Sequence, residues 1–255
     1  MTILIVFFIV HWYASLFSQT FFLHRYSAHG MFIMNKFWEK FFYAFLYLTQ
    51  GSSYLQPRAY AVLHRMHHMY SDTEKDPHSP HYSSNIFTMM WKTKAIYSGV
   101  AKNTLTVEDK FLKNLPEWKF IDNIGDSWPS RLIWGVIYSL IYIHFNTPEF
   151  GGGYWWLYLL LPIHFLMGPV HGAIVNWFGH KLGYQNFDNH DQSKNTLVVD
   201  VLLGGELYQN NHHKYAARPN FAAKWYEIDI SWPVIKTLDL IGIIKLNYKP
   251  DSTPF

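Results

Sequence analysis

The hydrophobic pattern divides the chain into apolar blocks separated by polar stretches. Ile3–Phe22 is a 20-residue run without a formal charge, long enough to cross a hydrocarbon core of about 30 Å. It has no basic leading region and no small-residue cleavage site, so it is read as a retained helix and not a signal peptide. Arg131–Asn146 and Tyr154–Val175 are two further apolar segments, joined by a short Thr-Pro-Glu-Phe-Gly-Gly-Gly connection. This pattern predicts an antiparallel hairpin with spans near 131–147 and 154–175. The first is short for a span and is expected to recruit Trp128–Pro129.

Phe37–Leu55 is also aromatic and apolar, but it carries Glu39-Lys40 near its start and ends with Gly51-Ser52-Ser53. Only 34 residues separate His29 from His64. Two full crossings need about 40 helical residues plus a turn. If both histidines feed one site, this segment lies in the interface or re-enters partway. A single crossing would instead put them on opposite faces. Charge placement favours one side. Residues 57–130 hold Arg58, Arg65 and seven lysines, and the chain after Val175 holds Arg218 and seven lysines from Lys181 to Lys249. The N-terminus and the Asn146–Gly153 connection hold none. By the positive-inside rule residues 56–130 and 176–255 are cytoplasmic and the N-terminus lies outside.

Composition narrows the class. Aromatic residues make up 19% and charged residues only 15%, against about 25% charged in an ordinary soluble domain. The expectation is one membrane-embedded unit over 1–255, with spans near 3–22, 131–147 and 154–175. Mean hydropathy is near zero, so part of the chain lies outside the bilayer. The fold class is all-α: an integral membrane helical bundle capped by a helical cytoplasmic domain. The chain has no cysteine, which removes disulfides, thiolate zinc sites, Fe–S clusters and a cysteine nucleophile. A net charge of +3 with dispersed Lys and Arg gives no nucleic-acid footprint.

The polar stretches carry the chemistry. Three clusters stand out: His24-Arg-Tyr-Ser-Ala-His29, His64-Arg-Met-His67-His68 and Gln209-Asn-Asn-His212-His213. Residues three and four apart share a helix face. His64, His67 and His68 therefore point one way, as do Asn176 and His180, and as do Gln209, His212 and His213. His24 and His29, five apart, sit roughly 140° around a helix and need a local kink or a shared ion between two turns. Adjacent buried imidazoles without a metal carry unsatisfied donors and acceptors. Imidazole nitrogen suits Fe, Zn, Cu and Ni. Eight imidazoles are too many for one ion with open coordination and suit two. His11, His144 and His164 are read as hydrogen-bonded core or interface residues. His171, nine residues before His180, is placed on the opposite helical face and left out.

These motifs resemble the membrane fatty acyl desaturases of the stearoyl-CoA (delta-9) type, whose three boxes read H-x4-H, H-x2-H-H and H-x2-H-H. His24–His29 and His64–His68 match the first two. The likeness continues through Tyr70–His78, Asn176-Trp-Phe-Gly-His180, Gly183-Tyr184, Asp191–Asn195 and Gly205-Glu206. It covers roughly Phe17 to Ile230. Two departures stand out: only one span precedes the first box where the family usually has two, and Gln209 replaces the leading histidine of the third. The resemblance implies two Fe2+ ions. His24, His29, His64, His68 and His212 would hold one. His67, His180 and His213 would hold the other, with Asn176 acting through water and Gln209 in the altered place. Asp72–His78 is otherwise an ordinary turn, and a ligand role for His78 or His81 is the minor alternative.

The implied reaction is O2-dependent insertion of a cis double bond into a long-chain fatty acyl group. The carrier, whether CoA, acyl carrier protein or phospholipid, stays open. With no G-x-G-x-x-G and no cysteine, electrons come from a separate ferredoxin, rubredoxin, cytochrome b5-like or flavoprotein donor. The expected location is a bacterial inner membrane with the site on the cytoplasmic side. Alternatives are a related di-iron hydroxylase, a membrane metal-binding or transport protein, and a homologue that only binds lipid.

Overall fold

The structure, a computed structural model, describes residues 1–247; Lys249 and the end of the expected 1–255 unit lie outside the described residues. Helix α1 (Thr2–Ser18) continues without a break into a π-helix, Gln19–Ala28. Among the described residues this 27-residue stretch is the one continuous helix long and apolar enough to cross a bilayer. Its early half exposes Ile3, Val6, Ile9 and Val10, while the π-helix is almost wholly buried. Gly30, at φ +61°, ends the run. A short strand, β1 (Phe32–Met34), then leads to helix α2 (Lys36–Gln50).

Asn35 caps α2 by accepting a hydrogen bond from the Trp38 amide at 3.0 Å, satisfying one of the free donors of the first turn. The helix runs back along α1. Tyr26 donates to Glu39 at its start, and Thr49 donates to Ser18 at its end. The Thr49 carbonyl lies 2.9 Å from a ring nitrogen of His11, near the middle of the long helix. There the 3-10 turn Gly51–Ser53 reverses the chain. Gly51 has φ +50°, and a Cβ on it would overlap the Tyr138 hydroxyl. Pro57 opens helix α3 (Pro57–Tyr70), where its missing N–H costs nothing. The segment after His29 thus descends about half-way along α1 and returns to where it started.

Helix α4 (Ile86–Ala101) packs on α3, and α5 (Lys119–Gly125) meets α2, where Tyr43 and Tyr54 both donate to Asp122. Helix α6 (Trp128–Phe145) has Pro129 in its first turn. Arg131 ties it to the carbonyls of Ser52 and Tyr54. Its outer surface is apolar, with Leu132, Ile133, Val136, Leu140 and Ile143 exposed.

The segment expected as one span over 154–175 is broken. A 3-10 turn (Trp155–Leu160) and α7 (Leu161–Phe165) are followed by α8 (Met167–Lys181), and the two halves meet at a 78° bend. Pro169 cannot donate to the Phe165 carbonyl, which interrupts the helical ladder. The bend is seated on the 51–55 turn, where the Gly168 amide donates to Ser53 Oγ at 3.0 Å. His164 reaches His11, Nδ1 to Nδ1, at 2.6 Å, and Tyr142 lies 2.9 Å from its other nitrogen. His11 and His164 are therefore hydrogen-bonded core residues, while His144 is exposed.

The part after Lys181 is less helical than expected. It holds α9 (Gln209–Lys214), α10 (Ser231–Leu240) and long connections. Strands β2 (Val199–Asp200) and β3 (Ile228–Asp229) pair in parallel, and β4 (Ile244–Leu246) pairs antiparallel with β1, Phe32 opposite Leu246. Side-chain hydrogen bonds, not helix, shape these connections. The Asp200 carboxylate accepts from the amides of Leu203, Gly205 and Leu207. This folds the turn that aims Glu206 and α9 inward.

Candidate metal centre

The π-helix solves the spacing of the first cluster. Its hydrogen bonds join residues five apart, and the His29 amide donates to the His24 carbonyl at 3.2 Å. His24 and His29 thus stand one turn apart on one face. On α3, His64 and His68 are also one turn apart, whereas His67 sits about 60° around the helix. In α9, neighbours His212 and His213 point about 100° apart. Each adjacent pair is therefore divided between two groups.

Ring nitrogens of His24, His29, His64, His68 and His212 lie within 4.8 Å of one another, and those of His67, His180 and His213 do the same. In the first group, Nε2–Nε2 separations are 3.0 Å for His24–His212, 2.9 Å for His68–His212, 3.0 Å for His64–His68 and 2.7 Å for His29–His64. Ligands at about 2.1 Å from one ion, at right angles, are separated by about 3.0 Å.

Carboxylates decide which nitrogen faces inward. Nδ1–H of His67 donates to Asp76 at 2.9 Å, that of His180 to Asp72 at 2.9 Å, and that of His213 to Asp191 at 2.6 Å. In the first group His24 does the same to Glu206. With Nδ1 protonated, neutral rings present an Nε2 lone pair. His67 and His213 then face each other lone pair to lone pair at 3.2 Å, and the buried Nε2 of His180 has no partner. A cation satisfies all three; no protein donor does. The residues present fit a bound metal in both groups, and the donors are those of a borderline transition ion.

Electrostatics agree. Burial first, and then the neighbouring imidazoles, hold His29, His64, His68 and His212 well below the ordinary histidine range. They are neutral at pH 7, with lone pairs free. Burial alone would raise the Asp72 carboxyl, but the hydrogen bonds it accepts, from His180 Nδ1–H and from the Gln192 amide, outweigh that and hold it low. Asp76 and Asp191 are lowered in the same way by His67 and His213.

Gln209 and Asn176 both stand in the wall of the adjoining cavity. Gln209 is buried against Gly179, where a Cβ would overlap it, and its amide nitrogen donates to the Glu206 carbonyl at 2.6 Å. His78 packs beside His67, their ring centroids 4.3 Å apart, with both its nitrogens buried and unpartnered. Asp76 and His78 form a third close group with His67. His81 lies 2.9 Å from the His180 carbonyl. His171, placed on the far face by spacing alone, lines the same cavity, because the wall curves around α8. The carboxylates and Arg25 were missed as site residues. The available signal was that Asp72, Asp76, Asp191 and Glu206 all fall within the stretches that extend the boxes.

The cavity measures about 1250 Å³ and is mainly apolar, beyond the usual 300–1,000 Å³ of a small-molecule pocket. His24 and His64 stand in its wall, and it extends from them between α4, α6 and α8.

The sequence is similar to those of known proteins. The family model for fatty acid desaturases matches residues 1–237. A Delta-9 acyl-lipid desaturase of Arabidopsis thaliana is 29% identical over 223 residues, covering 86% of this chain and 67% of its own. An sn-1 stearoyl-lipid 9-desaturase of Synechocystis is 29% identical over 244 residues, covering 90% and 67%. An acyl-CoA 5-desaturase of Anemone leveillei is 28% identical over 234 residues, covering 89% and 66%. The chain thus spans about two thirds of the length of these relatives. A match over nearly the whole chain, with the histidine groups and cavity inside it, places this protein in the fatty acid desaturase family of enzymes.

Proposed function

We propose that the chain is a membrane-embedded di-iron desaturase that introduces a cis double bond into a long-chain fatty acyl group. The observation that carries this reading is the convergence of eight imidazoles in groups of five and three, the first of which reaches the wall of a large apolar cavity through His24 and His64. Metal ligands in this assignment are His24, His29, His64, His68 and His212 for one ion and His67, His180 and His213 for the other. Bound iron supplies the activation of O2, which with two electrons and two protons accepts two hydrogens from adjacent methylenes and leaves as two waters.

The chain's own residues do the rest. Asp72, Asp76, Asp191 and Glu206 fix ring orientation and raise ligand basicity. Apolar walls hold the acyl chain and exclude water from the reacting carbons. Asn176, one turn before His180 on α8, and Gln209, against Gly179, would share in ordering a water or a ligand position on the three-histidine side. The single unit, with spans in α1, α6 and the bent α7–α8 pair, and with its site facing the cytoplasm of a bacterial inner membrane, follows the apolar surfaces and the lysine distribution. Electrons come from a separate redox protein.

Expression in a host lacking its own desaturase, followed by gas chromatography–mass spectrometry, tests the reaction. A new monoene is expected with a competent donor. Folded, metal-loaded protein that yields only hydroxy acids, or nothing, overturns it. The carboxylates have a separate test. Asp76→Asn keeps an acceptor for His67 but loses the charge, and metal affinity is expected to fall by about 10–100-fold. Competition with a chelator measures it; unchanged affinity would show that Asp76 only packs.

A further inference from the structure

The cavity opens sideways. On α6, Trp128, Leu132, Val136 and Leu140 all line it, and all are more than half exposed. They recur every fourth residue and so form one stripe along the helix. Twelve residues of rise make the stripe about 18 Å long. Across the opening, Phe87 and Trp91 of α4 also both line the cavity and face outward. An exposed apolar slot of this length alongside a helix is a binding feature, not ordinary surface.

The chemistry of the rim is graded. The start of α6 brings Trp128 to the rim, and α4 brings Trp91 with two exposed lysines, Lys94 and, just past its end, Lys102. The Lys94 ammonium lies 4.6 Å from the Trp91 ring centroid. Tryptophan and lysine together mark headgroup level. Toward Leu140 the lining is uncharged, with Val136, Leu140, Phe165 and Leu166. The slot therefore runs from a rim that carries lysine and tryptophan into hydrocarbon, while its floor reaches His24 and His64.

We infer that the acyl group enters laterally from the bilayer while still esterified to a phosphoglycerolipid, the phosphate resting at Lys94 and Lys102 and the chain passing between α4 and α6. This rests on the desaturase reading for its chemistry, but not for its binding geometry. A soluble carrier such as CoA needs an opening to water. Here the long side of the cavity faces the surface that α6 gives to lipid.

The test is photolabelling in liposomes. Phosphatidylglycerol with a mid-chain diazirine is compared with the matching diazirine stearoyl-CoA, and labelled residues are mapped by mass spectrometry. Tyr54 and Leu63 are the diagnostic positions, because they are buried and line the cavity. Lipid on the outer surface cannot reach them. Labelling of both by the phospholipid is expected, with at least tenfold less from the CoA form. Gly135→Phe, placed where a Cβ meets only the edge of Phe165 at 3.9 Å, should plug the slot and remove the signal. Lys94→Glu with Lys102→Glu, at exposed positions that leave folding intact, should lower it severalfold. Equal or stronger labelling by the CoA form, lipid labelling unchanged by both variants, or labels falling only on a second copy of the chain would each overturn lateral loading. Because the readout is covalent attachment, failure of the double-bond chemistry leaves its outcome independent.

Discussion

Replacing His67 with alanine is expected to abolish desaturation and reduce bound iron from two ions per chain to one. The three-histidine group is the smaller: His67, His180 and His213 form it, and the neighbouring His78 groups with His67 itself and not with His180 and His213. Loss of one of three leaves a bidentate site, whereas loss of one of five in the other group leaves four. His67→Ala also removes one of three donors to Asp76, leaving the amides of Asp72 and His78. That carboxylate is fully buried, and a buried acceptor that loses a hydrogen bond is costly, so loop 71–79 should loosen as well. Metal content measured on purified protein separates the two effects. His68→Ala, which removes a ligand from the five-histidine group, should retain more iron than His67→Ala. Equal iron loss in both, or full activity in His67→Ala, would sink the division into groups of five and three.

Much of this site was legible in the chain because helical periodicity acts locally. Spacings of three and four put His64, His67 and His68 near one face, but the adjacent pairs diverge and join different groups. The five-residue spacing of His24 and His29 called for a departure from the α-helix or a shared ion between two turns, and a π-helix supplies the departure. The return of the chain between His29 and His64 followed from length only together with the placement of Lys and Arg, which favoured one side for both histidines. The partners of the histidines were not legible. Asp72 meets His180 across 108 positions and Glu206 meets His24 across 182, and no local period encodes either contact. The bend after Phe165 was hidden for a similar reason. Hydropathy averages over a window, while the bend is held by Ser53, more than a hundred residues away. The last third of the described chain looked like helical cap because its composition is unremarkable. Its shape comes from single buried acceptors such as Asp200, whose three amide contacts leave no periodic trace.

Arg25 carries the largest expected effect on stability. It sits between two box residues, yet its side chain turns away from the histidine groups and is fully buried. One terminal nitrogen donates to Glu206 at 2.9 Å and the other to Asp229 at 2.8 Å, while Nε donates to the Pro219 carbonyl at 2.8 Å. The guanidinium lies flat over Phe221, 3.8 Å from the ring centroid. Both carboxylates are buried, and Glu206 also orients His24. Arg25→Met leaves two buried carboxylates without their cation, a change that typically costs about 3–5 kcal/mol. For a chain of this size the apparent melting temperature should fall on the order of 10 °C. Arg25→Lys should recover little, since a point charge cannot reach two carboxylates and a carbonyl in the planar fork that arginine fills. Metal binding should weaken in parallel, because Glu206 loses the group that fixes its second oxygen and His24 loses its orientation. A melting shift below 2 °C in Arg25→Met, or full rescue by lysine, would mean that the ion-pair network is peripheral to the fold. The expected pattern ties stability and metal binding to one side chain: Arg25 joins the π-helix bearing the first cluster to the loop that delivers the third.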